Sequence, residues 1–142
     1  MKNNFRNLGY SQNFLVNPTL VSELVKRSGI KPDDLVYEIG PGRGIITEQL
    51  AKNCQQVIAI EHDKKLFSEL IVKFRVLKNI KLISGDFLKF DLPSTGHYKI
   101  FANIPFDLTA EIINKLTMAS NPPTVSYLIV QEEAARKYAG QP

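Results

Sequence analysis

Short apolar runs of strand length alternate with helical stripes along most of the chain, and this alternation restricts its possible folds more than any other feature. Leu35-Val36-Tyr37-Glu38-Ile39 reads as a strand running into a glycine cluster. Ile45 to Lys52 suits a helix, and Gln56 to Glu61 is a second strand built on Val57, Ile58 and Ile60. Leu66, Phe67, Leu70, Ile71 and Phe74 recur at helical spacing. The pattern repeats with strands at Ile80 to Ser84 and Tyr98 to Ala102, then a helix lined by Leu108, Ile112, Ile113 and Leu116. A turn at Asn121-Pro122-Pro123 precedes a strand from Val125 to Val130, and Glu132 to Tyr138 reads as a polar helix.

Ahead of the first strand, Asn17 can cap a helix and Pro18 fits its first position, where no amide donor is required. Leu20, Val21, Leu24 and Val25 form its apolar stripe, and Gly29 is a left-handed stop. Continuous apolar strands between helices predict a parallel sheet covered on both faces. Right-handed crossovers make it an α/β, doubly wound, Rossmann-like fold. At 142 residues the chain suits one domain, and such a length buries roughly 70% of its unfolded surface. Hydrophobic residues at 44% and charged residues at 23% exclude disorder and a collagen-like or disulfide-stapled chain. The single Cys54 closes no intrachain bridge. No uncharged run is long enough to span a bilayer and the Asn-rich start is not a signal peptide, so a cytoplasmic protein is expected.

In sheets of this kind ligands sit outside the carboxyl ends of the strands. Those ends carry the distinctive residues. Gly40-Pro41-Gly42-Arg43-Gly44 follows the first strand, and glycines at alternate places allow a tight turn with close approach of a ligand to bare backbone. The dinucleotide pattern wants its third small residue one place later, where Ile45 stands, so alone the loop fits a nucleotide site and a mere tight turn equally. Glu61 ends the second strand, where an acid can accept from both ribose hydroxyls, while Asp63 suits the cap of the next helix. Gly85-Asp86-Phe87 follows the third strand; its acid can accept from an adenine amino group or serve a turn. Together the three ends describe a nucleoside pocket with no phosphate requirement. S-adenosylmethionine fits that description.

Asn103-Ile104-Pro105-Phe106 follows the fourth strand. An exocyclic adenine amine is a poor nucleophile because its lone pair is delocalised into the ring. Two acceptors aimed at its hydrogens, the Asn103 side-chain oxygen and the Ile104 carbonyl, free that lone pair. Pro105 stiffens the loop, and Phe106 offers a ring for a base to stack on. The competing reading is a proline-containing strand-to-helix loop with an incidental aromatic.

Charge adds a bias toward polyanions: the formal net charge is +4. Residues 1–22 hold Lys2 and Arg6 with no acid, and the stretch from Lys64 to Lys89 is +5. Such a run is a solvated helix face or a backbone contact for nucleic acid.

Tyr10-Ser11-Gln12-Asn13-Phe14-Leu15, Glu38 to Gly44, Ala59-Ile60-Glu61, Gly85-Asp86-Phe87 and Asn103 to Phe106 occur in one order. The set resembles the ribosomal RNA adenine-N6 dimethyltransferases. Lys99 to Phe106 and Tyr127-Leu128-Ile129-Val130-Gln131 resemble the Erm-type macrolide-resistance branch, which acts on 23S RNA. The sister 16S branch more usually has Leu-Pro-Tyr after the Asn. The resemblance implies a class I S-adenosylmethionine-dependent methyltransferase. Asn13, Leu15, Gly40, Gly42, Glu61, Asp86 and Asn103 would hold the cofactor, and Asn103, Ile104, Pro105 and Phe106 would form the catalytic loop. It further implies ribosomal RNA as partner, 23S ahead of 16S, in a monomer without metal or membrane attachment. Cys54, His62 and His97 take structural or surface roles. Relatives continue into two further strands and a small helical RNA-binding domain, so residues 1–142 are expected to be an incomplete catalytic domain. The alternatives are a 16S enzyme and a non-catalytic RNA-binding module with the same fold.

Overall fold

The computed structural model describes residues 16–140. In chain order the helices and strands are α1 (Pro18–Arg27), β1 (Leu35–Ile39), α2 (Ile45–Ala51), β2 (Gln56–Glu61), α3 (Lys64–Phe74), β3 (Ile80–Ser84), β4 (Lys99–Asn103), α4 (Thr109–Thr117), β5 (Val125–Ile129) and α5 (Glu132–Ala139). Short 3-10 turns at Phe87–Lys89 and Phe106–Leu108 follow β3 and β4. The strands pair in the order β3-β2-β1-β4-β5, and every pairing is parallel. The fold is the expected doubly wound α/β sheet. The chain winds outward from β1 to β3 and then crosses to β4 on the other side of β1, which puts the topological switch point between β1 and β4.

Alternation along the strands sends side chains to two cores. Tyr37, Ile39, Ile58, Ile60, Ile100 and Ala102 pack with Ile112 and Leu116 of α4 on one face. Val36, Val57, Ala59 and Phe101 pack with Val21 and Val25 of α1 and Ile46 and Leu50 of α2 on the other. Both helical stripes are narrower than the sequence suggests. Val21, Val25, Leu70 and Phe74 are buried, whereas Leu20 and Ile71 are exposed at their margins.

Caps form where the sequence places them. Asn17 Oδ1 accepts from the amides of Thr19 and Leu20, and Asp63 Oδ1 accepts from those of Lys65 and Leu66. Gly29 has φ +67°, the left-handed stop after α1. At the amino ends of the strands, Lys99 Nζ and Asp34 Oδ2 pair at 2.6 Å. Burial pulls the Asp34 pKa up, but the hydrogen bonds from Lys99 and the Lys31 amide, with the charges of both lysines, together leave it lowered.

The register aligns the carboxyl ends. Ile39 stands opposite Ile60 and Ala102, and Glu61 opposite Ser84. Gly40, Glu61, Asp86 and Asn103 therefore leave the sheet at nearly one level.

Candidate functional site

A cavity of about 350 Å³ opens at that level, in the range of small-molecule sites. Its walls include Gly40 and Gly42 after β1, Glu61 after β2, Asp86 after β3, and Asn103 and Pro105 after β4. Apolar Ile39, Ile60, Phe87, Leu88, Leu108 and Ile112 line the rest. Six sequence-predicted residues thus meet in one space. Asn13 and Leu15 lie outside the described residues.

The glycine loop takes backbone angles that disfavour side chains: φ is +63° at Gly40, +58° at Gly42 and +80° at Gly44. Gly44 is also sterically closed, since a Cβ there would stand 2.6 Å from Phe74 Cε2. Lys73 Nζ donates to the Arg43 carbonyl at 3.0 Å and so ties α3 to the loop.

Glu61 is almost fully buried, at 3% exposure. Its Oε2 accepts from the Gly42 amide at 3.0 Å and its Oε1 from the Asp63 amide at 2.8 Å. Each oxygen keeps a second lone pair, so the group is fixed in place and can still accept from a neighbouring diol. Asp86 Oδ1 accepts from the Leu88 amide at 2.9 Å, which builds the turn after β3 and leaves Oδ2 to face a donor. Lys115 Nζ of α4 donates to the Leu88 carbonyl at 3.1 Å and braces that turn.

The loop after β4 is held just as firmly. The Ile104 amide donates to the Ile129 carbonyl at 3.0 Å, and the Leu108 amide to the Pro105 carbonyl at 3.0 Å. Ile104, expected in the catalytic loop, packs in the core at 2% exposure and is not part of the cavity wall. Asn103 is half-buried on the cavity wall. Phe106 is not part of that wall; the residue is 59% exposed.

Sequence reasoning missed several wall residues. Arg43, His62 and Asp107 all line the cavity. Asp107 follows the Asn103–Phe106 loop directly, a position that could have drawn attention to it. Glu38 stands in β1 at the head of the glycine motif, and the sequence alone assigns it no role in the site. It points to the α2 face of the sheet, where its Oε2 and Thr47 Oγ1 are buried with no hydrogen-bond partner among the described residues. Burial, reinforced by the Glu61 charge, pushes Glu38 up to about 8 against the opposing pull of Thr47 and Lys73. Among the described residues no cluster of three or more His, Cys, Asp or Glu could hold a metal ion, and no helix is long and apolar enough to cross a membrane.

A parallel, doubly wound sheet with a glycine loop and acids at successive strand ends defines the Rossmann-like class to which S-adenosylmethionine-dependent methyltransferases belong. The family model for ribosomal RNA adenine dimethylase matches residues 3–142, and the chain belongs to that family. It is 40% identical over 127 residues to an rRNA adenine N-6-methyltransferase of Streptococcus sanguinis, covering 89% of this chain and 51% of the relative. It is 34% identical over 137 residues to the ribosomal RNA small subunit methyltransferase A of Dehalococcoides mccartyi, covering 94% and 47%. The solved 23S rRNA methyltransferase ErmE superposes with a TM-score of 0.80 at 30% identity, covering 89% of this chain and 51% of that one. The chain spans about half the length of these relatives. Both branches of the family appear among them, so the comparisons carry the family and not the branch.

Proposed function

We propose that residues 1–142 carry the methyl-transfer centre of an S-adenosylmethionine-dependent enzyme acting on N6 of an adenine in ribosomal RNA, with 23S RNA the favoured substrate. The observation that carries this reading is the convergence of Glu61, Asp86 and Asn103 on one cavity. The fixed Glu61 carboxylate suits a ribose diol. Asp86 Oδ2 suits an adenine amino group, with Phe87, Leu88 and Ile112 as apolar walls for the ring. Bare backbone at Gly40 and Gly42 permits close approach of the remainder. In this reading Asn13 and Leu15 also contact the cofactor.

When bound, the cofactor supplies an electrophilic methyl group on a sulfonium. The protein then needs no covalent intermediate; its task is positioning. The Asn103 side-chain oxygen and the Ile104 carbonyl accept hydrogen bonds from the two N–H groups of the target amine, whose freed lone pair takes the methyl; the methylated nitrogen then loses one proton to solvent. The tie from Ile104 to Ile129 and the ring of Pro105 hold those acceptors still. Phe106, exposed beside the cavity, receives the target ring after it leaves the RNA stack. The seven bases between Lys64 and Lys89 are all exposed and suit the RNA backbone.

Sequence supports the 23S assignment through the Lys99–Phe106 and Tyr127–Gln131 segments. Calorimetric titration with S-adenosylmethionine tests the pocket, and labelled methyl transfer to purified 23S and 16S RNA tests the substrate. Label entering 23S RNA supports the full reading. Label entering 16S RNA alone removes the branch assignment, and binding without transfer to either RNA favours a non-catalytic module.

A further inference from the structure

Of the described residues lining the cavity, three are carboxylates, Glu61, Asp86 and Asp107, and one is a guanidinium, Arg43. Two of the carboxylates are already engaged by backbone amides and suit neutral partners, hydroxyls and an amino group. Asp107 differs. It is exposed at the first turn after Pro105, on the same wall as Asn103, and takes no hydrogen bond or ion pair among the described residues. A carboxylate without a partner, on a wall shared with the proposed methyl-transfer loop, has a long-range field as its main influence on a bound ligand.

We propose that Asp107 is a selectivity residue for cofactor charge: it favours the cationic methyl donor over the neutral thioether that remains after transfer. The proposal rests on the reading of the cavity as an S-adenosylmethionine site. The two ligands share the adenosine and the amino-acid end, so Glu61, Asp86 and the glycine loop meet the same groups in both. They differ by one methyl and one positive charge. A free carboxylate on the wall is the kind of group that separates them, and the preference helps spent cofactor to leave. An acid one turn ahead of α4 also favours that helix's dipole, but this effect is the same with either ligand.

The test is calorimetric titration of the full 142-residue chain with S-adenosylmethionine and with S-adenosylhomocysteine, for the wild type, D107N and D107E. Exposed charge pairs are worth about 0.2–1 kcal/mol, so D107N is expected to lower the preference for the charged ligand about 1.4- to 5-fold. Affinity for the neutral ligand stays as it was. D107E retains the preference, and added salt weakens it in the wild type. An unchanged ratio in D107N, or equal weakening of both ligands, overturns the Asp107 assignment while leaving the cofactor site in place. A wild-type chain that binds neither ligand removes the site reading and this proposal with it.

Discussion

Glu61 Oε2 accepts a hydrogen bond from the Gly42 amide at 3.0 Å, joining the end of β2 to the middle of the loop that follows β1. One buried carboxylate therefore sets the shape of the glycine loop as well as presenting acceptors to the cavity. Stability and binding should respond together when it is altered.

Glu61→Gln keeps one oxygen acceptor, so either the Gly42 or the Asp63 amide loses its partner. Hydrogen bonds to charged groups are worth about 1.5–3 kcal/mol, so cofactor affinity should fall roughly 10- to 150-fold. Denaturant unfolding should show a loss of about 1–3 kcal/mol. Titration calorimetry and a urea curve on one sample check both, and unchanged stability would separate the two roles.

Glu38 makes folding depend on pH. Its pKa is about 8 in the folded chain against 4.5 when free, so between those values the folded state holds more protons. Its contribution is complete below pH 4.5 and is lost as pH rises through about 8. Stability should decline by up to about 1.4 kcal/mol per pH unit in that window. Glu38→Gln should flatten the decline and gain most on the wild type at pH 9. Parallel urea midpoints for the two proteins at pH 5, 7 and 9 would dismiss the idea.

Gly44→Ala would set a Cβ 2.6 Å from Phe74 Cε2 and 2.9 Å from Leu70 Cδ2, at a φ of +80°. Overpacking and left-handed strain together predict a loss of about 2–4 kcal/mol. Gly29→Ala is the control, with φ +67° and nothing within 4 Å, and should lose only about 1 kcal/mol. Equal midpoints for the two variants would show that the Phe74 contact is readily relieved.

Asn103→Ala and Phe106→Ala should divide the reaction. The first is expected to abolish transfer while weakening cofactor binding less. The second removes a stacking surface worth about 1–3 kcal/mol and should raise KM for RNA roughly 5- to 150-fold with cofactor affinity unchanged. Transfer that survives in Asn103→Ala would show that the amine is activated elsewhere.

Lys64 and Lys65 are exposed at the start of α3, just after Glu61 on the cavity wall. If both meet phosphate, replacing them with Gln should make the slope of log affinity against log salt shallower by about 1.4–1.8. Filter binding of RNA across a salt series reads this directly. An unchanged slope would assign the two lysines to a solvated helix face.

Strand positions were legible because each apolar run is short and gives way to polar residues, Gly, Pro or Asn near its ends. β1, β2 and β3 fall on the residues the sequence marks, and β4 is shifted by one. Polar residues at strand ends were legible because parallel strands share a common exit level, so Glu61, Asp86 and Asn103 could be placed from the strand pattern alone. What stayed hidden depends on packing across the chain. Nothing local in the sequence says that Phe74 closes over Gly44, that Thr47 stands by Glu38, or that Lys115 reaches the Leu88 carbonyl. The short 3-10 turn at Phe106–Leu108 went unseen as well, and with it the position of Asp107.

The bond from the Ile104 amide to the Ile129 carbonyl completes the Asn103–Ile129 pairing that ends the β4–β5 ladder. The loop that the proposed function sets against the target amine is therefore fastened to the sheet at its start. If the proposed function holds, an incoming purine would have to tilt to suit it, and discrimination among bases would come from how readily each can be pulled out and turned. A change on β5, remote from the cavity, would be transmitted to that geometry through a single peptide unit.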